Sequence, residues 1–331
     1  MAERHKRATD FLAKARADGK DLSEEVADLV RSALAPTTRK TYTSGERLFR
    51  AVVLGPKTRI DKMYPVSANS VLTFIYILNK VGYAFSTIKT YTAAIKTRNI
   101  ENGHTFSYLE IEHARRALIA VRRRSPVGKY PPGAKAQVTI GQVRQALEQC
   151  NGRKRESGVA LLLCIFGLLR CRECISPTCS DVIFNTIENM DVVDIVIRRS
   201  KCDRFGEGAA IRIGCSYGSS KRPCTELFCA VHKLYSYMCE GSTAKTLHRE
   251  GPLFGQLNHQ TFRRHIEAAF ELCVSNSHNT IATHSLRRSG AQWMWVAGIS
   301  TFSISQFGRW AIQNVLEKTY LTGVTKVFEH R

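Results

Sequence analysis

No stretch of this 331-residue chain is apolar for long enough to cross a bilayer. The longest such run, residues 159–169, falls short of the roughly 18 residues that a spanning helix needs, so no membrane partner is expected. An apolar leader is missing as well. The chain opens MAERHKRATDF, and with no hydrophobic segment there, secretion is not expected. Acidic residues are few beside basic ones, 28 against 49, which leaves a formal net charge of +21. Such an excess calls for a polyanionic partner, and nucleic acid leads that class. It does not mark a disordered basic tail, because 44% of the residues are hydrophobic and can build real cores. Internal repeats and low-complexity tracts are absent too.

Complete internal disulfide pairing is excluded by the odd count of eleven cysteines. Without a secretion signal they are expected to be reduced thiols in an intracellular compartment. One set invites a zinc reading: Cys171, Cys174 and Cys179, then Cys224, Cys229 and His232. Cys171-x2-Cys174 has the step of a ligand pair, but Cys224-x4-Cys229 is looser. Several of these thiols stand in apolar surroundings, where cysteine acts as a small hydrophobe. The expectation is no metal and no cofactor, with structural zinc as the alternative.

What is present falls into two halves. Residues 1–34 read as a charged helical extension, and residues 35–121 as an all-α domain of four or five amphipathic helices. One of these opens at Pro36, one at Ser67, one at Ser86, and one runs over residues 106–124. Residues 122–137, RRRSPVGKYPPGAKAQ, hold three Pro, two Gly and five basic residues, the composition of a linker. Residues 138–331 then read as an α+β domain. A helix over 157–169 is apolar nearly all round and should be its buried spine, with a short helix at 172–175 before Pro177. Strands are expected at 182–184, 192–199 and 209–213, with Val193, Ile195 and Ile197 on one face of the middle one. Helices return after Thr225.

Five places carry candidate chemistry. Arg170 ends the spine helix, where an unpartnered guanidinium is expensive, and Glu173 lies one turn on. Lys201 falls at the tip of a hairpin. His284 and Arg287 stand one turn apart at the start of a helix and face the same way. Gly308-Arg309-Trp310 precedes a short helix containing Tyr320. Each has an ordinary structural explanation: an ion pair, a solvated turn, a core aromatic.

Their order is what distinguishes them. The segments Gly167-Leu-Leu-Arg170-Cys-Arg-Glu173, His284-Ser-Leu-Arg287-Arg-Ser-Gly-Ala and Gly308-Arg-Trp310 with Tyr320 resemble the boxes of the tyrosine recombinases, the phage-integrase type of DNA strand-transfer enzyme. Thr38-x-x-x-Tyr42, Ser86-Thr-Ile and Ala93-Ala-Ile resemble the helical core-binding domain of the same enzymes, so the resemblance spans about residues 35–331. The cysteine-rich boxes and Gly-Arg-Trp look most like integrases of eukaryotic mobile elements of the Crypton or DIRS kind.

The resemblance implies a core-binding domain and a catalytic domain that clamp double-stranded DNA in a C shape, with a tetramer on two sites. It implies a site-specific recombinase that cuts and rejoins strands through a 3′-phosphotyrosyl link, without metal or high-energy cofactor, in integration or excision of a mobile element. Tyr320 would be the nucleophile, His284 the proton acceptor and Lys201 the proton donor to the leaving 5′-oxygen. Arg170 and Arg287 would grip the non-bridging oxygens with a fork that Lys cannot copy. Glu173 would hold the His or Arg side, and Trp310 would buttress the pocket.

There are departures. Trp310 and Tyr320 lie ten positions apart, one more than the usual family step, so Arg309 and Trp310 both stay open for the phosphate-contacting place. Gly167 stands one place further from Arg170 than usual. Only eleven residues follow Tyr320, fewer than the family's docking helix takes. Two other readings compete: a domesticated, catalytically silent DNA-binding protein, and a type IB topoisomerase. Further DNA contacts are expected at Thr38, Arg39 and Lys40 on one helix, at Lys89, Lys96 and Arg98 on another, and at Arg309. The nucleus is the expected compartment in a eukaryotic host, the cytoplasm in a bacterial one.

Overall fold

The computed structural model describes residues 2–59, 62–124, 137–200, 203, 206–219, 224–244, 247–271 and 281–321. The chain divides into two compact units, Met1–Gly128 and Lys129–Arg331. It is mostly helical, with one small antiparallel sheet.

The first unit is all helix: α1 (Ala2–Ala17), α2 (Ser23–Ser32), α3 (Pro36–Phe49, continued as a π turn Arg50–Leu54), α4 (Ala68–Lys80), α5 (Phe85–Glu101) and α6 (Tyr108–Arg124). Pro36 takes the first helical position of α3, where its missing N–H costs nothing. Ser67 caps α4 by accepting the Ser70 N–H at 3.1 Å. The buried residues of α4 are Val71, Phe74, Ile75 and Leu78, an i, i+3, i+4, i+7 stripe. With Phe49, Met63, Val66, Ile88, Ile95, Ala114 and Val121 they form the core of this unit. Arg122, Arg123 and Arg124, which the sequence places both at the end of the helix over 106–124 and at the head of the linker, close α6. Residues 125–136 of that expected linker lie outside the described ones.

The second unit is built round α8 (Arg155–Phe166), in which every residue from 157 to 165 is buried. Around it stand α7 (Ile140–Glu148), α9 (Cys171–Ile175), α10 (Ala230–Thr243), α11 (His259–Glu271), α12 (Thr283–Val296), α13 (Thr301–Gly308) and a short α14 (Gln313–Val315) continued as a π turn, Leu316–Tyr320. Strands β1 (Val182–Ile187), β2 (Met190–Ile197) and β3 (Ala209–Ser219) form an antiparallel sheet in the order β1-β2-β3. Glu188 and Asn189 join β1 to β2 with φ of 49° and 65°, the two positive values that a type I′ hairpin turn demands. Val193, Ile195 and Ile197 are buried with Ile211, Ile213 and Cys215 of β3, so one sheet face closes the core.

α8 ends earlier than the sequence suggests, and the reason is local. At Gly167 a Cβ would lie 2.8 Å from Ile211 Cδ1, so the chain passes tight against the sheet. Leu168 then takes φ 47°, a left-handed conformation that breaks the helix. Arg170 therefore does not end the spine helix; it is the N-cap residue of α9.

α12 meets α8 through backbone. A Cβ on Gly290 would stand 2.0 Å from the carbonyl oxygen of Ile165. Gly290→Ala is thus expected to destabilise the unit by about 3 kcal/mol or more, since overpacking with no flexible neighbour has no cheap relief. Urea unfolding checks this, and an unchanged midpoint would mean that the two helices part freely.

Candidate active site

The loop after α8, the start of α9, the first turns of α12 and the end of α13 converge on one carboxylate, and the π turn Leu316–Tyr320 packs beside them. Glu173 is 3% exposed. It accepts from Arg170 Nη1 at 2.5 Å, from the Arg170 backbone N–H at 3.0 Å and from Arg309 Nη2 at 2.7 Å, with Arg287 Nη1 at 3.5 Å. Three guanidiniums share one anion. Burial pushes the Glu173 carboxyl up, but hydrogen bonds from Arg170 and the charges of Arg170 and Arg309 outweigh it and hold the group below the ordinary glutamate value.

Arg287 is fully buried. Its Nη1 donates to the Leu168 carbonyl at 2.5 Å, and its Nη2 to the Gly308 carbonyl. Both acceptors exist because the chain turns away from helix there: Leu168 is left-handed, and Gly308 ends α13 ahead of left-handed Arg309 (φ 58°, ψ 44°). Burial lowers the Arg287 guanidinium to about 10, helped by the charge of Arg170 and opposed by Glu173. It remains a cation at neutral pH, and its Nε has no partner among the described residues.

The indole of Trp310 covers this cation, with Arg287 Cζ 4.2 Å from the ring centre. Gly308 makes room for it, since a Cβ there would overlap the Trp310 ring at 1.7 Å. Trp310 is 8% exposed, and its Nε1–H is buried without an acceptor among the described residues. Tyr320 packs edge-on to Trp310, with ring centres 4.7 Å apart, and its hydroxyl lies 2.8 Å from His284 Nε2. The tyrosine therefore stands beside the cation cluster with an imidazole nitrogen in hydrogen-bond reach.

Of the residues singled out by sequence, Arg170, Glu173, His284, Arg287, Arg309, Trp310 and Tyr320 meet here. Lys201 lies outside the described residues. Three contributors escape a sequence reading. Arg288 is buried and donates from Nε to the Tyr320 carbonyl at 3.2 Å, joined by Gln137 Nε2 at 3.5 Å. Leu168 supplies the carbonyl for Arg287. A second arginine beside Arg287 is the one visible signal, and it does not say what that arginine holds.

In the first unit, Thr38, Arg39 and Lys40 lie in the opening turns of α3, with Lys40 exposed. Lys89 and Lys96 of α5 are seven positions apart and share a face. Arg98 is turned about 200° from Lys96 and pairs with Glu101 at 2.7 Å and Glu46 at 3.9 Å. The expected basic stripe on α5 therefore holds two lysines, and the arginine is engaged on the other side.

The thiols divide in two. Cys150, Cys164, Cys171 and Cys174 are buried, and Cys174 Sγ donates to the Ala160 carbonyl. Cys179 contacts the Pro252 carbonyl at 3.9 Å. Cys224, Cys229 and His232 come together with Cys215, away from Cys171 and Cys174 in sequence and in contacts.

No family model and no curated protein matches the sequence. Solved structures do match the fold. The XerH site-specific recombinase bound to its difH substrate, in a pre-cleavage complex, aligns with TM-score 0.54 and 14% identity over 93% of this chain and 81% of that one. A lambda integrase (75–356) dimer bound to a COC′ core site gives 0.56 and 13% over 89% and 92%. The Tn1549 transposon integrase with circular-intermediate DNA gives 0.55 and 14% over 90% and 94%. At such identities the likeness is one of fold, shared with site-specific tyrosine recombinases and integrases bound to DNA.

Proposed function

We propose that this chain is a DNA recombinase that cuts and rejoins strands through a phosphotyrosyl intermediate. The observation that carries this reading is the Tyr320 hydroxyl at 2.8 Å from His284 beside three guanidiniums that share one carboxylate. Three cations against one anion leave the pocket net positive, the balance needed for a phosphodiester whose transition state concentrates negative charge. Arg170 and Arg287 would bind the non-bridging oxygens. Preorganised donors of this kind are worth on the order of 10²–10³ in rate each. We assign the further phosphate contact to Trp310, whose buried indole N–H has no acceptor among the described residues.

Tyr320 Oη attacks phosphorus while its proton passes to His284 Nε2. The P–O5′ bond breaks, and the leaving oxygen takes a proton, for which Lys201 is our donor. The reverse step begins with a 5′-hydroxyl and releases Tyr320. A phenol of pKa about 10 is a weak nucleophile until such an acceptor stands beside it.

Double-stranded DNA as partner follows from this reading and from the charge of +21, with Thr38, Arg39, Lys40, Lys89 and Lys96 as backbone contacts. A tetramer on two sites, and a role in moving a Crypton- or DIRS-like element, belong to the same proposal and rest on the sequence boxes.

Covalent capture tests it on a pool of duplexes, so that no single target sequence need be chosen. Nicked duplexes with randomised cores are incubated with the protein in buffer without added divalent ion, then selected for attachment that survives detergent. Recovered adducts should digest to a phosphotyrosyl peptide containing Tyr320. Tight, salt-sensitive binding with no adduct would instead indicate a DNA-binding protein without this chemistry. Relaxation of any supercoiled plasmid, irrespective of sequence, would indicate a topoisomerase.

A further inference from the structure

Cys215 lies on β3, Cys224 follows that strand, Cys229 is the N-cap of α10, and His232 sits in its first turn. One ligand atom from each falls within 4.8 Å of all the others. Cys229 Sγ is 3.5 Å from Cys215 Sγ and 3.3 Å from His232 Nδ1. Tetrahedral zinc, with Zn–S of about 2.3 Å and Zn–N of about 2.0 Å, sets S···S and S···N edges of about 3.8 and 3.5 Å. The side chains are already gathered to nearly that size.

Two features of the surroundings point the same way. The β2–β3 ladder is regular up to Val192 with Gly214, and then skips to Met190 with Ser219. Cys215 stands at the first position of this bulge, where β3 leaves its ladder. The β2 residue opposite the bulge, Asp191, places Oδ2 3.1 Å from His232 Nε2. A carboxylate on the outer nitrogen of an imidazole fixes the ring and directs the other nitrogen to a metal. Here the nitrogen so directed is Nδ1, the one beside Cys229. The Cys229 sulfur also receives the His232 backbone N–H at 3.5 Å, a donor suited to a charged sulfur.

We propose that Cys215, Cys224, Cys229 and His232 bind one zinc ion in a closed structural site, with Asp191 orienting the histidine. Three sulfurs and one imidazole select zinc over the oxygen-seeking cations, and four protein ligands leave no position for substrate. The ion would pin the bulged end of β3 to the start of α10. This corrects the grouping suggested by spacing: Cys171, Cys174 and Cys179 take no part, and the missing ligand is Cys215, which a strand delivers from nine positions upstream.

The test uses the full chain, purified without chelator under reducing conditions. Mass spectrometry of the native protein and elemental analysis should find roughly one zinc per chain. Cys215→Ser and Cys224→Ser should each lose most of it, while Cys239→Ser, at an exposed thiol outside the cluster, should keep it. Asp191→Asn should retain the ion yet surrender it to a competing chelator at roughly 10–100-fold lower concentration, a readout that does not depend on a folding defect. Cobalt in place of zinc should give thiolate-to-metal charge transfer and the strong visible bands of a tetrahedral site. A folded wild type with no zinc, a Cys215–Cys229 disulfide in peptide maps, or full zinc in Cys224→Ser would each overturn the proposal.

Discussion

Tyr320→Phe is expected to abolish the covalent protein–DNA adduct while leaving a folded chain. The substitution removes one oxygen. The ring keeps its edge-on contact with Trp310, and the backbone carbonyl keeps its bonds from Arg288 and Gln137, so the π turn has no reason to move. What is lost is the hydrogen bond to His284, worth about 0.5–1.5 kcal/mol net. A stability change that small beside a total loss of adduct separates chemistry from folding. Denaturing gels of the captured duplex, run beside urea melts of both proteins, measure the two quantities. Adduct from the Phe variant at the wild-type level would remove Tyr320 from the nucleophile's place.

The largest effect on stability is expected at Glu173. Glu173→Ala leaves Arg287, which has no exposure, without its buried anion, and takes the partner from Arg309 Nη2. Removing one member of a buried ionic group costs about 3–5 kcal/mol. Glu173→Gln keeps the shape and one acceptor oxygen but not the charge, and should lose roughly half as much by the same reasoning. The pH dependence has a definite sign. The folded carboxyl lies below its ordinary value, so its contribution is full above the unfolded glutamate pKa of about 4.3 and fades as pH falls through the folded one. The stability gap between wild type and Glu173→Gln, followed by urea unfolding from neutral to acid pH, should therefore close on acidification. A gap that stayed constant would mean that the carboxylate's charge contributes nothing.

How far the sequence reaches can be judged from particular residues. The apolar run over α8 and the alternation of Val193, Ile195 and Ile197 mark the spine and the middle strand, because burial on all sides and on one side leave different periods. Arg170 and Glu173 are three positions apart, so a helix-start contact between them is legible. The place where α8 stops is not, because it depends on a leucine in a left-handed conformation and a glycine pressed on the sheet. The meeting of Tyr320 with His284 joins residues 36 apart, and only the order of the boxes hints at it. Arg309 and Trp310 cannot be told apart by spacing; the fold separates their positions, since Arg309 turns the chain and Trp310 folds back over Gly308. Cys215 is invisible as a ligand, since nothing in a strand's alternation announces a bulge.

The backbone contact between Gly290 and Ile165 has a mechanical consequence. His284 and Arg287 ride on a helix joined to the spine with no side chain between them to give way, so the charged floor of the pocket is a fixed jaw. Tyr320 belongs to a segment that begins beyond Gly308, at the left-handed turn of Arg309, and two hydrogen bonds to its carbonyl tie it down. Any adjustment of the distance between the Tyr320 hydroxyl and that floor falls to the segment that follows Gly308. That same segment lays Arg309 on Glu173 and Trp310 over Arg287, so any shift that carried the tyrosine with it would also change the charge and cover of the floor.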